Sequence, residues 1–475
     1  MTLSADADVF RRRRRPSLDR ADAGPSRRRS LLWVLVLTAC GFGLTLLVFY
    51  PGIMTFDARY VYDDMKRGFL GDWQSPVMTV LWAAIDPIAP GSASMFLLSA
   101  TLYWLAFGLL AFTIARRSVP LAVALLLLAL SPPAFVFVGI IWRDVLLASS
   151  WLLAAALVFA FATSDRLLRI GAQAAALALL ALGVLLRPNA LIAAPLLGAY
   201  ILWPTQFSVK RVALIFLPAA AGLFALVQVV YYGVLGAERQ NLVHAILVYD
   251  LGGISHFAGE NQFPGSWSAH ETELLTARCY QPVEWDVYRS EPCEFVMKRL
   301  DGENLFGSAA LVDAWKHAIA RHPLAYLQHR AALTWNFLTG KNFTMWTEDL
   351  DDQTRTQLPD RFAFNVLIAV HDALKPTPLF RAGTWLLICL VVCALAWRRR
   401  ATPAGAFALG VCGSAAMYVL SYAAVSVGSD FRYAYWAVLA GMAGGVVVAL
   451  PLAESAQNVE TPELVPRCGI EPPTP

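Results

Sequence analysis

The sequence predicts an all-α polytopic membrane protein of about ten transmembrane helices with a mainly helical extracytoplasmic insert. Three observations carry this. The chain is 57% hydrophobic and only 15% charged, where soluble domains hold about 25% charged residues. Its mean hydropathy is +0.53. Apolar runs near the length a bilayer requires recur along it, and the short links between them are basic at every second turn.

Residues 1–30 form a basic arm, "RRRRRPSLDRADAGPSRRR", directly before the first apolar run. This is the pattern of a cytosolic topology anchor, with anionic lipid headgroups as a further contact. The net charge of +4 is no nucleic-acid footprint, and no nucleic-acid partner is expected. "SLLWVLVLTACGFGLTLLVFY" is too long for a cleavable signal's apolar core and reads as a retained anchor. The candidate spans are 31–50, 93–114, 119–139, 145–163, 169–186, 189–204, 211–232, 380–397, 403–425 and 436–453. Residues 31–232 are an N-terminal transmembrane module with an acidic first outer loop at 51–92. In that loop "VMTVLWAAI" is too short to span, and should lie along the interface or re-enter. The inner links carry Arg116 and Arg117, Arg166 and Arg169, Lys210 and Arg211, and Arg398 to Arg400. The positive-inside rule then places both termini in the cytosol.

The insert, 233–379, then faces outward. Its stretch "AALVDAWKHAIARHPLAYLQHRAALTWNFL" reads as a helix interrupted at Pro323 and a second helix. Residues 380–453 supply the last helices, and the polar, Pro-containing tail 454–475 reads as disordered. Cys279 and Cys293 alone fall in the insert, and an oxidising compartment would join them in a disulfide; Cys468 lies in the tail. All seven histidines, His244, His256 and His329 among them, belong to the insert without metal-motif spacing. No cofactor is expected; a divalent metal stays open but nothing indicates one. "YDLGGISHF" reads as a turn in which Asp250 positions a substrate or shapes the bend.

Three arginines depart from the inner-link bias. Arg143 ("IIWRDVLL"), Arg187 ("VLLRPNAL") and Arg432 ("GSDFRYAYW") lie at outer ends of apolar segments, with Asp144 beside Arg143 and Asp430 before Arg432. Ionisable groups at membrane depth are costly and face protein-lined cavities. Three on one face predict a convergent anion site, and the guanidinium fork suits phosphate. In the outer loop "TFDARYVYDDM", read as a helix, puts Asp57 and Asp64 on one face. Asp57 sits among Ile53, Met54 and Phe56, poorly suited to a merely solvated charge, and could take a proton from an acceptor hydroxyl. Trp73 and Gln74 of "DWQSPVMTVLW" offer a platform for a sugar ring or a membrane anchor.

Together "YPGIMTFDARY", "GDWQSPVMTVLW", "WRDVLL", "LRPNAL" and "SDFRYAYW" give the chain a resemblance. It resembles the GT-C superfamily of membrane glycosyltransferases, most of all bacterial members with "YPG…D" and "DWH.P" in the first outer loop. The resemblance covers most of the chain. It implies a polyprenyl-phosphate-linked sugar as donor, membrane lipid around it, and a glycan, lipid or protein acceptor. It implies that Asp57, or as second choice Asp72, is the catalytic base or acceptor-positioning group, and that Arg187 or Arg432, with Arg143, holds the phosphate. The chain departs from the pattern at Gln74, where the related loop has His, and has no acidic pair at Asp57. The alternative function is a transporter or flippase of a lipid-linked or anionic solute. Such proteins carry internal repeats and broken helices near the midplane, whereas here the ionisable residues gather at one membrane face.

Overall fold

Two hydrophobic cores, one in a helical bundle and one in the insert, organise the computed structural model, which describes residues 25–340 and 362–451. The tail 454–475 and most of the basic arm lie outside these. Among the described residues there are no strands, only three isolated bridges.

The chain opens with α1 (Pro25–Phe49). The outer loop then forms α2 (Phe56–Arg67), closed by Gly68 in the left-handed region at φ 68°, and α3 (Pro76–Ile85), capped by the Ser75 side chain. The bundle continues with α4 (Ser92–Ala115), α5 (Val119–Ala129), α6 (Pro132–Val138), α7 (Arg143–Phe161), α8 (Arg166–Leu186), α9 (Ala194–Leu202) and α10 (Val209–Gln228). The insert holds α11 (Leu242–Ala258), α12 (Ala269–Ala277), α13 (Phe295–Gly302), α14 (Ala309–Arg321) and α15 (Pro323–Thr339). After α16 (Phe362–Leu374) come α17 (Ala382–Trp397), α18 (Pro403–Val425) and α19 (Tyr435–Val448).

This is a helical polytopic membrane protein. Among the described residues seven helices are long and apolar enough to cross a membrane, or eight if α5 and α6 form one span. That is fewer than the ten runs read from sequence. Residues 189–204 do not make one helix: Pro188 starts a short 3-10 turn (Pro188–Ile192), and the separate, nine-residue α9 starts at Ala194 with Pro195 in its first turn. Residues 380–397 yield the 16-residue α17, about 24 Å long at the usual rise, less than a hydrocarbon core of about 30 Å. The run 119–139 is bent by 57° between α5 and α6, because Pro132 and Pro133 lack the N–H groups that would continue the ladder. The weak apolar stretch of the outer loop is the short α3, as its length required.

α4, α7, α18 and α19 form the centre, whereas only 6% of the apolar window in Val209–Val234 is buried, so α10 turns most of its surface to lipid. Following the chain, α1, α8, α10 and α18 run toward the end that carries the insert, and α4 and α7 run away from it. Arg116, Arg166, Lys210 and Arg398 to Arg400 therefore share the opposite end, where Phe207 donates its N–H to the Arg400 carbonyl at 2.6 Å.

In the insert, the break before Pro323 falls as its ring requires, ending α14 and opening α15. Cys279 and Cys293 form the expected disulfide, both buried. "YDLGGISHF", however, is the interior of α11, not a turn. Its glycines serve close approach: a Cβ on Gly252 would lie 1.7 Å from the Tyr288 hydroxyl, and one on Gly253 2.2 Å from His329 Nδ1. Asp250 is correspondingly in the insert's core, fully buried, rather than beside any cleft.

Candidate active site

The site is built where two chain segments are stitched together before their helices begin. After α1, Gly52 turns the chain at φ 101°. Ile53 then pairs in parallel with Ile140: its N–H reaches the Gly139 carbonyl at 2.9 Å, and Ile141 N–H returns to the Ile53 carbonyl at 3.0 Å. Thr55, at the N-cap of α2, accepts the Trp142 indole N–H at 2.7 Å. Asp57 in the first turn of α2 and Arg143, the first residue of α7, are thereby delivered to one place.

Arg187 arrives there because α8 is the antiparallel neighbour of α7 and ends beside it. Its approach is fixed at Leu185, whose carbonyl accepts from Ser75 Oγ at 2.8 Å and from the Tyr231 hydroxyl. Arg432 enters from the 3-10 turn Phe431–Ala434, capped by the Asp430 side chain. The three arginines predicted to converge do so at the insert end of the bundle, with Asp57 among them.

Arg432 Nη1 donates to Asp57 Oδ2 at 2.7 Å, and Gln74 Nε2 donates to Oδ1 at 3.2 Å. Arg432 also pairs with Asp430 through Nε at 3.0 Å and lies 4.7 Å from the Trp142 ring. The Tyr433 ring lies between the cations, 4.9 Å from the Arg187 guanidinium and 5.4 Å from that of Arg432. Asp144 is not the partner of its neighbour Arg143. Successive helical residues point apart, and Asp144, which is buried, instead accepts from the largely covered Arg187 Nε at 2.7 Å. Arg143 is thus left without a hydrogen bond or ion pair among the described residues, half-buried beside Asp57. Burial of the Asp57 carboxyl acts to raise its pKa, but Arg432, then Arg143, then Arg187 hold it below the ordinary carboxylate value. Asp57 is ionised at neutral pH. Its side chain remains one-third exposed.

Asp57 and Gln74 form the shared wall of two spaces. On one side is a water-sized hole of 10 Å³ bounded by Arg143, Asp144 and Trp142. On the other is an open cleft of 440 Å³ toward the insert, lined by Trp73 and Asp286 among others.

The remaining sequence-derived candidates separate. Trp73 and Gln74 belong to the site. Asp72 points elsewhere: it accepts from the Tyr232 hydroxyl at 2.7 Å and from Gln240 N–H at 2.6 Å, fastening the outer loop to the start of the insert. Asp64, seven residues from Asp57, is tied to Arg67 at 2.5 Å. Asp250 is excluded from the site by its burial in the insert. Tyr433, Asp286 and Arg289 went unpredicted; "WDVYR" carries two aromatics, an acid and a base in five residues, but nothing local says that it folds back over Asp57. No group of three or more His, Cys, Asp or Glu side chains placed to hold a metal occurs among the described residues. What the arrangement offers is an anion site at Arg143, Arg187 and Arg432 next to an ionised carboxylate facing an open cleft.

Compared with family models, curated proteins and solved structures, the chain finds no match.

Proposed function

We propose that the protein is an integral membrane glycosyltransferase that moves a sugar from a polyprenyl-phosphate carrier to an extracytoplasmic acceptor. The observation that supports this most is the juxtaposition of a guanidinium with unused donors, Arg143, and an ionised carboxylate, Asp57, which also borders an open cleft. The basic links gathered at the opposite end of the bundle support an outward-facing site and a cytosolic start to α1, as in a bacterial inner membrane.

In this reading the carrier phosphate approaches from the lipid and meets Arg143 first, with Arg432 able to turn from Asp57 toward it. The acceptor oxygen attacks the anomeric carbon as Asp57 takes its proton. The bond from that carbon to the phosphate oxygen breaks, and the oxygen keeps the electron pair. The arginines stabilise the charge that grows there. Attack opposite the leaving phosphate inverts the anomeric configuration. Arg432 gives the sequence its order: while it holds Asp57 the carboxylate is a weak base, and its transfer to the phosphate raises Asp57 basicity only when donor is present.

The test is an assay in reconstituted membranes with a panel of radiolabelled polyprenyl-phosphate sugars. Arg187→Ala and Arg432→Ala should each raise the donor KM by about tenfold or more, the loss of a charge-assisted contact. Unaltered donor kinetics in both would remove the phosphate role. Solute movement across the bilayer without transfer would replace the enzyme by a transporter.

A further inference from the structure

We infer that the cleft between the outer loop and the insert is an acceptor subsite for a neutral carbohydrate, with Trp73 as its platform and Asp286 as its specificity-determining acid. This deepens the glycosyltransferase reading and rests on it for the word acceptor.

The cleft's volume of 440 Å³ lies within the usual range for small-molecule pockets, roughly 300–1,000 Å³. Four rings line it: Phe56 and Tyr60 from α2, Trp73 from the outer loop, and Phe306 from the insert. Phe56 is 75% exposed directly beside Asp57, an apolar face at the mouth with nothing laid on it. Trp73 is held in place from both sides. Its backbone N–H donates to Gln240 Oε1 at 2.8 Å, and its ring packs 5.7 Å from that of the buried Trp285. A fixed ring loses little freedom on binding. Aromatic faces match the C–H faces of a sugar ring, which carry slight positive charge against the ring's negative face.

Polar groups face the same space. Asp286 and Arg289 lie on the 3-10 turn Trp285–Arg289, three residues apart, and both are exposed into the cleft. Neither side chain makes a hydrogen bond or ion pair among the described residues, although Arg289 lies over Trp285 at 4.9 Å. Gln240 is partly engaged, donating to the Tyr60 hydroxyl at 3.2 Å. A carboxylate and a guanidinium each present paired atoms that suit vicinal hydroxyls.

The charge balance selects a neutral ligand. Asp57 and Asp286 outnumber Arg289 on the cleft walls, so an anionic sugar is disfavoured there, while Arg143, without an acid partner among the described residues, lies on the far side of Asp57. Burial against the cleft wall raises the Asp286 pKa, Arg289 opposes this, and Asp57 adds to it. That is chiefly the response of a carboxyl held away from water, with the second acid a smaller contribution. The rings and hydroxyl-matching groups likewise favour a carbohydrate over a lipid acceptor, whose chains would need a continuous apolar wall.

The experiment uses the full chain in nanodiscs on a glycan array of neutral and anionic glycans, followed by titration of the best neutral binder while reading tryptophan fluorescence. Saturable binding restricted to neutral glycans is expected. Trp73→Ala and Asp286→Asn should each weaken it about tenfold, with Trp73→Phe recovering most of the affinity and all three variants melting like the parent. Binding to anionic glycans only, binding insensitive to both substitutions, or no saturable glycan binding overturns the assignment. No donor is present in this assay. Glycan binding without sugar transfer from any carrier would therefore sink the glycosyltransferase reading alone, and transfer to a lipid or protein acceptor without glycan binding would sink only this one.

Discussion

Two acid–arginine assemblies use the same chemistry to opposite ends. In the insert, Asp250 of α11 is completely buried. Its Oδ1 is in ion-pair contact with Arg330 at 2.7 Å and lies 3.2 Å from His329 Nε2, and its Oδ2 accepts from the Trp315 indole at 2.8 Å. At the membrane rim, Asp57 is one-third exposed, and Arg143 beside it has no partner among the described residues. Sealing on all sides makes the first assembly architecture. An unused donor and an open wall make the second a site. The two are also linked, since Arg330 donates to the Ser426 carbonyl at 2.9 Å, and 426–430 is the loop that leads to Arg432. That loop is further bridged to the insert between Glu284 and Gly428. The sealed cluster holds the open one in place.

The sharpest way to break this contrast is Asp57→Asn. Turnover in the proposed transfer should fall by about 10²–10⁴-fold, the usual contribution of a general base, while the melting temperature stays close to the parent. A collapse of stability with undiminished turnover per folded molecule would make Asp57 another structural acid. Asp250→Ala should do the reverse. Stranding Arg330 in the core is expected to cost about 3–5 kcal/mol, read as earlier chemical denaturation of the insert, and an unchanged denaturation midpoint would dissolve the distinction. Next in size is the disulfide. Cys279 and Cys293 close a loop of 14 residues in sequence separation, and opening it by Cys293→Ser should cost about 3 kcal/mol, measured as hydrogen exchange in the insert but not in α7 or α19.

The arginine convergence could be read from sequence because helix ends alternate: each cation followed or preceded an apolar run on the same side, whatever the exact number of spans. Asp57 stood out because its neighbours were apolar. Pairing could not be read. Asp144 looked attached to Arg143, yet its partner lies 43 residues away, since adjacency in a helix separates side chains whereas antiparallel packing joins distant ones. Asp72 resembled a second catalytic acid because nothing local reveals that Tyr232 and Gln240 close on it. The Gly-Gly of α11 misled because glycine's commonest local meaning is a turn, and only the packed Tyr288 and His329 rings explain it. The span count and the helices part at Pro188 and Pro195, and the run at Pro132 bends, where hydropathy stays high although the backbone ladder stops.

The smallest expected effect sharpens the contrast most finely, because the two assemblies should respond to acid in different windows. Burial disfavours the charged form of His329, Arg330 adds to this, and Asp250 opposes it, leaving the pKa below the ordinary histidine value. Between about pH 6.5 and that lower value the unfolded insert binds a proton that the folded insert does not. Its stability should therefore fall with pH there, by at most about 1.4 kcal/mol per unit, and level off below. The folded pKa of Asp57 is depressed as well, but by the arginines acting against burial, so its window lies at lower pH. The stability its pairing contributes is complete above about pH 3.9 and is lost only as pH falls through the still lower folded value. Hydrogen exchange at pH 7.5, 6.5 and 5.5, corrected for intrinsic rates, should show α11 and α15 losing protection while amides of α2 around Asp57 hold theirs. His329→Gln should flatten the response of α11 and α15. Equal loss in α2 and α11 across that range would mean that the two assemblies are one titrating unit, and the division between sealed and open clusters would not stand.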